Sequence, residues 1–312
     1  MIFLKRPGMK KQVVPISGGD LKELLRQFVN MKDNNFILFL IHLVQCFFDS
    51  SSHFISIISS SQGTGKSTLT NLMQLLIDPS ESLKTLLPSS SDELKNHLTN
   101  NTVVAFDNTK KLTDEFSDIL CSAVTGTSYT KRELYTNSNV IIRKIKNIII
   151  LNGIDIVPNK TDLLERSLLF ELEKIPQEKR IPDKVYWNNF EEKRPYILGA
   201  IFDTISKAIK IKKTLKLEKT HRMSDAYTDM VAIALAIGVS QEEFITIFNE
   251  NIAKLEETRS EENFFCNTIK DYLEKEYAQR KGKVSVLYDR MKPFPNNESK
   301  FFQNHHRIFL EN

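Results

Sequence analysis

An apolar, β-branched run, His53–Ser59 (HFISIIS), leads straight into Ser60-Ser61-Gln62-Gly63-Thr64-Gly65-Lys66-Ser67, and a helical pattern follows to about Ile77, where Asp78-Pro79 ends it. This order of strand, glycine-containing loop and helix is the strongest constraint in the chain. A run of this kind fits a strand buried on both faces, and such strands belong to sheets covered by helices. The expected fold class is therefore α/β.

The loop aligns with G-x-x-x-x-G-K-[ST] at all but its first position, where Ser60 replaces glycine. Backbone N–H groups of such a P-loop hold phosphate oxygens, helped by the positive end of the following helix. Gly63 and Gly65 allow backbone angles and close approach that a side chain would block. Lys66 is expected to reach the β- and γ-phosphates, and the Ser67 hydroxyl to ligate Mg²⁺. The expected nucleotide-binding set is Ser60, Ser61, Gln62, Gly63, Thr64, Gly65, Lys66, Ser67 and Thr68, with ATP and Mg²⁺ as ligands. The competing reading is a plain glycine-rich turn.

A second buried-strand pattern, Val103–Phe106, ends at Asp107, about forty residues after the loop. An aspartate at the end of such a strand is where an ATPase holds its Mg²⁺ shell, although aspartate also starts ordinary turns. The next residue, a glutamate in many ATPases, is Asn108. Asparagine accepts no proton, so hydrolysis would be slow or would draw on another carboxylate such as Asp114 or Glu115.

Elsewhere the chain reads as helices and strands without repeats. Asp20 is a plausible cap for LKELLRQFV, and Ser90 with Glu93 has capping-box spacing. Phe36–Phe48 is apolar but short of the about 20 residues a membrane span needs, so a buried helix is expected, with His42 as a core residue. Thr113–Val124 reads as a helix; Lys131–Thr136, Val140–Leu151 and Leu168–Leu172 read as strands. After Pro176, Arg194–Lys213, Met223–Ile237, Gln241–Leu255 and Glu262–Ala278 show helical periodicity. The 312 residues carry a net charge of +4, which permits nucleic-acid binding without arguing for it. Cys46, Cys121 and Cys266 are scattered and support no zinc site or disulfide framework, so a reducing cytoplasm is the simplest setting. His305-His306 suggests no metal site, and Trp187 has no assignable role. The basic stretch Lys207, Lys210, Lys212, Lys213, Lys216, Lys219 and Arg222 reads as a solvated helix face before it reads as a DNA contact.

The order of elements resembles the superfamily-3 helicases within the AAA+ ATPases. The run FDN…LCSAVTGTSYTKRELYT…IIILNGID…DLLERSLLFELE, from Phe106 to Glu173, is similar to ATP-binding proteins of bacterial prophages and integrative elements, and RPYILGAIFDTIS and HRMSDAYTDM extend the similarity. The resemblance implies roles. Asn152 would contact the γ-phosphate or the attacking water, against the simpler role of capping a turn before Gly153. Arg166 would be an arginine finger serving a neighbouring subunit, which implies a homo-oligomeric ring, a hexamer by preference; the alternative is an ion pair with Glu165 or Glu171. The hairpin Lys131–Lys146 would project into a central channel, with Lys131, Arg132, Arg143, Lys144 and Lys146 touching single-stranded DNA. Its expected tip, Asn137-Ser138-Asn139, carries neither lysine nor an aromatic ring. Relatives of this kind carry further sequence before the position of Met1.

The expected organisation is an N-terminal helical segment (1–50), a P-loop ATPase core (51–175), a helical subdomain (176–260) and an incomplete winged-helix unit (261–312). The expected function is an ATP-driven replication helicase of a mobile element, cytoplasmic and without a membrane anchor. The alternative is an ATP-switched binding protein with slow hydrolysis and no unwinding.

Overall fold

The computed structural model describes residues 8–49, 52–109, 112–132, 140–153, 160–217 and 221–276. The chain divides into two compact units, Met1–Leu255 and Glu256–Asn312. Of the second, the described part is helical to Glu276. The expected winged-helix elements at Lys281–Met291 and Ser299–Ile308, and His305-His306, lie outside the described residues.

The first unit opens with α1 (Leu21–Arg26) and α2 (Asp33–Gln45), followed by β1 (Ile55–Ser59), α3 (Lys66–Ile77), β2 (Thr85–Leu86), α4 (Ser91–Asn100) and β3 (Val103–Asp107). Next come α5 (Asp114–Thr125), β4 (Thr127–Arg132), β5 (Val140–Ile145), β6 (Ile148–Gly153), α6 (Thr161–Leu164) and β7 (Ser167–Glu171). Helices α7 (Asp183–Lys212), α8 (Ser224–Ala236) and α9 (Gln241–Glu276) complete the described chain. Side-chain caps start three of these helices, two of them, Asp20 and Ser90, at the residues the sequence pointed to. Asp20 accepts from the Glu23 amide at 2.8 Å, Ser90 from Glu93 at 3.3 Å and Thr113 from Phe116 at 3.2 Å, each satisfying an amide that the first turn leaves free.

Five parallel strands form one sheet in the order β2-β3-β6-β1-β7. Alternation along each strand divides the core. Ile58, Val103, Ala105, Ile148, Ile150, Leu168 and Phe170 face a layer that includes α1, α2, α3, α7 and α8. Ile55, Ile57, Val104, Phe106, Ile149, Leu151 and Leu169 face α4, α5 and α6. A sheet covered on both sides needs apolar residues at consecutive positions, which is why these strands read as unbroken runs. Helix α2 is buried from Phe36 through Gln45, as an all-round apolar helix must be. No helix among the described residues is long and apolar enough to cross a membrane.

Four elements differ from the sequence reading. Val140–Leu151 is two strands, not one. β5 pairs antiparallel with β4 in a separate ribbon, whereas β6 enters the central sheet. The break is made by Lys146-Asn147. Asn147 is buried and donates from Nδ2 to the Leu98 carbonyl at 2.9 Å and from its backbone amide to Ala123 at 2.9 Å. These tertiary bonds turn the chain where no glycine or proline marks a turn. The ribbon's first strand is Thr127–Arg132, earlier than Lys131–Thr136. Helix α7 starts eleven positions before Arg194 and carries Pro195 in its interior, while Gln241–Leu255 and the described part of Glu262–Ala278, to Glu276, belong to one helix. The charged EETRSE between them contains no breaker, so periodicity fades there without the helix ending.

Part of the basic stretch is used internally. Lys212 pairs with the fully buried Asp229, and Arg222 pairs at 2.6 Å with both Asp162 and Glu165. Lys207, Lys210, Lys213 and Lys216 are exposed, and Lys219 lies outside the described residues. Trp187 packs edge-on against Tyr186 and Phe190.

His42 stacks on Phe170 and its Nε2 lies 2.7 Å from the Ser56 hydroxyl, fully buried. Burial, reinforced by nearby His53, lowers its pKa to about 3; burial and Lys146 lower that of His53 to about 4. Both imidazoles are therefore neutral in the folded protein, while in the unfolded chain each protonates near pH 6.5. Their contribution to stability is complete above that pH and is lost as pH falls below it. For His42 alone the loss at pH 5 should be about 2 kcal/mol. Urea unfolding at pH 7.5 and pH 5 measures it, and the His42→Gln variant should show the shallower pH dependence. Equal slopes in the two proteins would rule out a neutral His42 as the cause.

Candidate functional site

Parallel strands all end at the same side of the sheet, and ligands of open α/β sheets bind outside those carboxyl ends. There β1 delivers Ser60–Gly65, β3 delivers Asp107 and β6 delivers Asn152. Because β6 lies between β1 and β3, Asn152 sits between the glycine loop and the aspartate. Its Nδ2 donates to Asp107 Oδ1 at 2.8 Å and is 3.4 Å from Ser67 Oγ. Ser67 Oγ in turn is 3.5 Å from Asp107 Oδ1. The asparagine is 1% exposed, so it is a member of this cluster rather than a surface turn cap.

The loop has left-handed backbone at Gly63 (φ 75°) and Gly65 (φ 90°), the second being the residue just before α3. No side chain caps that helix, so its first amides face the loop. Gly63 and Gly65 need glycine for their backbone angles, since an added Cβ would meet only ordinary contacts. Ser60, in the place of the first glycine, is outside the left-handed region, for Asn108 is the one non-glycine residue with positive φ among those described. Its hydroxyl bonds that of Thr64, which also donates to the Ser61 carbonyl at 3.0 Å. The serine thus closes the loop on itself. Lys66 Nζ donates to the Ser60 and Ser61 carbonyls, which holds the ammonium over the inner side of the loop.

Asp107 is 14% exposed. Its Oδ1 also accepts from the Asn108 amide at 3.1 Å, while Oδ2 carries an ion pair with Lys84. Asn108 has φ 51° and is exposed. Asparagine tolerates this conformation, and the turn lets the next amide, Thr109, donate to the Asn152 carbonyl at 2.8 Å. Asp114 and Glu115 occupy the first turn of α5.

The described residues hold no cluster of three His, Cys, Asp or Glu able to bind a metal. A cation at Asp107 would thus have one carboxylate and one hydroxyl from the protein. That donor set is all oxygen and sparse, which fits Mg²⁺ completed by phosphates and water.

Beside the loop lies a cleft of about 880 Å³. Gly63–Gly65 and Thr68 form one wall, the link from Arg26 to Met31 another, and Leu172–Pro176 with Arg180 and Tyr186 the rest. Tyr186 is fixed there by its hydroxyl, which donates to the Phe28 carbonyl at 3.0 Å. Neither this cleft nor Lys84 was visible in the sequence. The cleft joins three distant segments, and Lys84 is a lone lysine among the leucines of a short link, Leu83, Leu86 and Leu87. No signal pointed to it, because the two-residue strand that carries it beside β3 is too short to show a pattern.

Two expected groups stand apart from the cluster. Arg166 precedes β7, at the opposite end of the sheet; with strands rising about 3.3 Å per residue, it is roughly 16 Å from the loop's side. It is 12% exposed on its side chain and paired with Asp162, not with Glu165 or Glu171. In the ribbon, Lys131 lies opposite Ile141, Arg132 opposite Val140, Arg143 opposite Tyr129 and Lys144 opposite Ser128. Lys146 donates to the Asp49 carbonyl, and the expected tip, Asn137-Ser138-Asn139, lies outside the described residues.

This is an α/β protein with a fully parallel central sheet and a polar cluster at its carboxyl edge. The chain belongs to the actinomycete integrative conjugative element replication protein family, whose model matches residues 21–242. Among solved structures it is similar to the A form apo structure of the NrS-1 C-terminal region, at 17% sequence identity over 93% of this chain and 66% of that one, with a TM-score of 0.43. It is also similar to another apo structure of the NrS-1 C-terminal region, at 16% identity, with a TM-score of 0.40 and coverage of 93% and 66%. The chain thus spans just under two thirds of the length of these solved structures. Comparison with curated proteins gave no match.

Proposed function

We propose that this replication protein is an ATP-hydrolysing motor with a P-loop nucleoside-triphosphatase fold of the AAA+ type, working on single-stranded DNA in the cytoplasm. One observation carries the reading: the glycine loop, Ser67, Asp107 and Asn152 converge at the carboxyl ends of neighbouring parallel strands. The amides of the loop and the start of α3 hold the phosphates, and the cleft beside Gly63–Gly65 takes the nucleoside. Lys66 leaves the Ser60 and Ser61 carbonyls to reach the β- and γ-phosphates. Ser67 and Asp107 hold Mg²⁺, which when bound neutralises charge on the phosphate oxygens. Asn152 orients the water that attacks the γ-phosphorus, as the bond to the ADP oxygen breaks.

Arg166 is too far from its own loop to assist. It serves the site of the next subunit in a ring, a hexamer by preference, and stabilises charge in the transition state. Lys131, Arg132, Arg143, Lys144 and Lys146 neutralise phosphates of the strand without reading bases. A second reading is favoured by Asn108, which follows Asp107 where a carboxylate base would help hydrolysis. In it the protein assembles on DNA when ATP binds and turns over slowly without unwinding.

Steady-state ATP turnover with and without single-stranded DNA tests both. Lys66→Ala should lie at background. Arg166→Ala mixed into wild type should lower the rate more than dilution does, provided its melting temperature shows that loss of the Asp162 pair has not unfolded it. Turnover stimulated by DNA supports the motor. ATP binding with negligible turnover in both conditions sinks the motor and leaves the switch.

A further inference from the structure

We propose that Lys84 is a counter-ion competing for Asp107, and that it sets the Mg²⁺ concentration at which the nucleotide site fills. The inference rests on the nucleotide reading above and adds a control to the same site. Asp107 Oδ1 already accepts from Asn152 and from the Asn108 amide, with Ser67 at 3.5 Å. Oδ2 is taken by the Lys84 ammonium. The carboxylate therefore spends its charge on a monovalent cation supplied by the chain itself. A divalent cation drawn to the same group has to displace Lys84 or share Asp107 with a like charge a few ångströms away, and both weaken its binding.

The placement of Lys84 follows from the fold. It precedes β2, which pairs with β3 through Thr85 opposite Phe106 and Leu86 opposite Asp107. That register sets Leu86 beside Asp107 and the Lys84 backbone two residues behind it, from where the long side chain reaches forward to the carboxylate at the end of β3. The strand is two residues long, at the edge of the sheet, and Leu86 is 70% exposed. Leu83 and Leu87 on either side pack on the cores and hold the segment, so the lysine leaves by turning its side chain, 31% exposed, toward water when the site fills. The pair is also sheltered enough to matter: the side chains are 31% and 14% exposed for Lys84 and Asp107, unlike the freely solvated pairs that contribute almost nothing.

Lys84→Met keeps the apolar stem and removes the charge, while Lys84→Arg keeps the charge. ATP binding by isothermal titration calorimetry across a series of Mg²⁺ concentrations gives the half-saturating Mg²⁺ for each protein. Lys84→Met should need roughly fivefold to tenfold less Mg²⁺ than wild type, a change of about 1.4 kcal/mol at the upper end. Lys84→Arg should stay close to wild type. Titration of Mn²⁺ with ATP, followed by electron paramagnetic resonance, should give the same order. An unchanged or higher Mg²⁺ requirement in Lys84→Met overturns the proposal. So does weaker ATP binding by that variant at saturating Mg²⁺, because Lys84 would then be a phosphate contact. Wild-type protein that binds no ATP at any Mg²⁺ concentration would instead remove the nucleotide reading itself, and the inference with it.

Discussion

Asp107→Asn should lower ATP turnover by roughly a hundredfold or more, the scale on which loss of one preorganised charge-stabilising group acts, while leaving the protein folded. The substitution keeps the shape of the side chain and removes its charge. Its Oδ1 can still accept from Asn152, which now donates at 2.8 Å. Lys84 loses its partner, but a side chain that is 31% exposed can turn to water, so the stability change should stay within about 1 kcal/mol. The site loses more. Ser67 and Asp107 are the protein oxygens that approach one another here, and a hydroxyl alone is a poor ligand for a hard cation. Turnover measured beside a thermal melt separates chemistry from folding. Activity near wild type in a folded Asp107→Asn protein would show that the cation is held by some other group. A parallel fall of activity and melting temperature would make Asp107 structural.

The glycine loop, Asp107 and the strands that carry them were legible in the sequence because local chemistry determines them. Two left-handed glycines, a lysine and a serine at fixed spacing, and β-branched runs leave little choice. The strand of Asp107 and that of the loop were found separately, but their separation by β6 was not, for strand order depends on pairing across the whole sheet. That order decides what Asn152 does. Read in sequence it was as plausibly a cap before Gly153; placed between β1 and β3 it touches both Ser67 and Asp107. The ribbon was misread for the opposite reason. Val140–Leu151 is apolar and basic at every position but Asn147, and the turn there is made by carbonyls of α4, its C-terminal neighbour Asn101 and α5, none of them nearby in sequence.

Arg166 shows how a position can be recognised while its environment is not. The sequence offered Glu165 and Glu171 as partners. In the fold Glu165 goes to Arg222 and Glu171 to Lys254, whereas one helical turn back Asp162 receives both arginines. The i,i+4 spacing of Asp162 and Arg166 was available as a signal, but only once a helix was known to precede β7. An arginine so held has to exchange a carboxylate for a phosphate if it is to serve a neighbouring subunit, so the poisoning experiment also measures whether that exchange occurs.

Gly199→Ala should destabilise the protein by about 2 kcal/mol or more, although alanine is the better helix former by about 1 kcal/mol. The reason is the N-terminal segment, which crosses α7 at this residue. A Cβ on Gly199 would lie 1.9 Å from the Ile16 carbonyl oxygen and 2.9 Å from the Ser17 nitrogen. Those are backbone atoms, and the segment is pinned on either side. The Ile16 amide donates to the Pro195 carbonyl at 2.9 Å, a bond within the same crossing. The Ser17 hydroxyl and the Gly18 amide donate to Asp203 at 2.6 Å and 3.0 Å, and hold its carboxyl below the usual range. Gln12 bridges Arg194 on α7 and the Leu76 carbonyl near the end of α3, both at 2.8 Å. The added methyl must therefore either bend α7 or lift the segment and break these bonds together. In a protein of this size each kcal/mol moves the melting temperature by about 2–4 °C, so a fall of at least roughly 4–8 °C is expected. The sign supplies the control. In a chain beginning at Gly18 the carbonyl that clashes is gone, only helix propensity remains, and the same substitution should raise the melting temperature relative to that shortened parent. A decrease of equal size in both backgrounds would mean that Gly199 is needed for something other than the passage of residues 16 and 17.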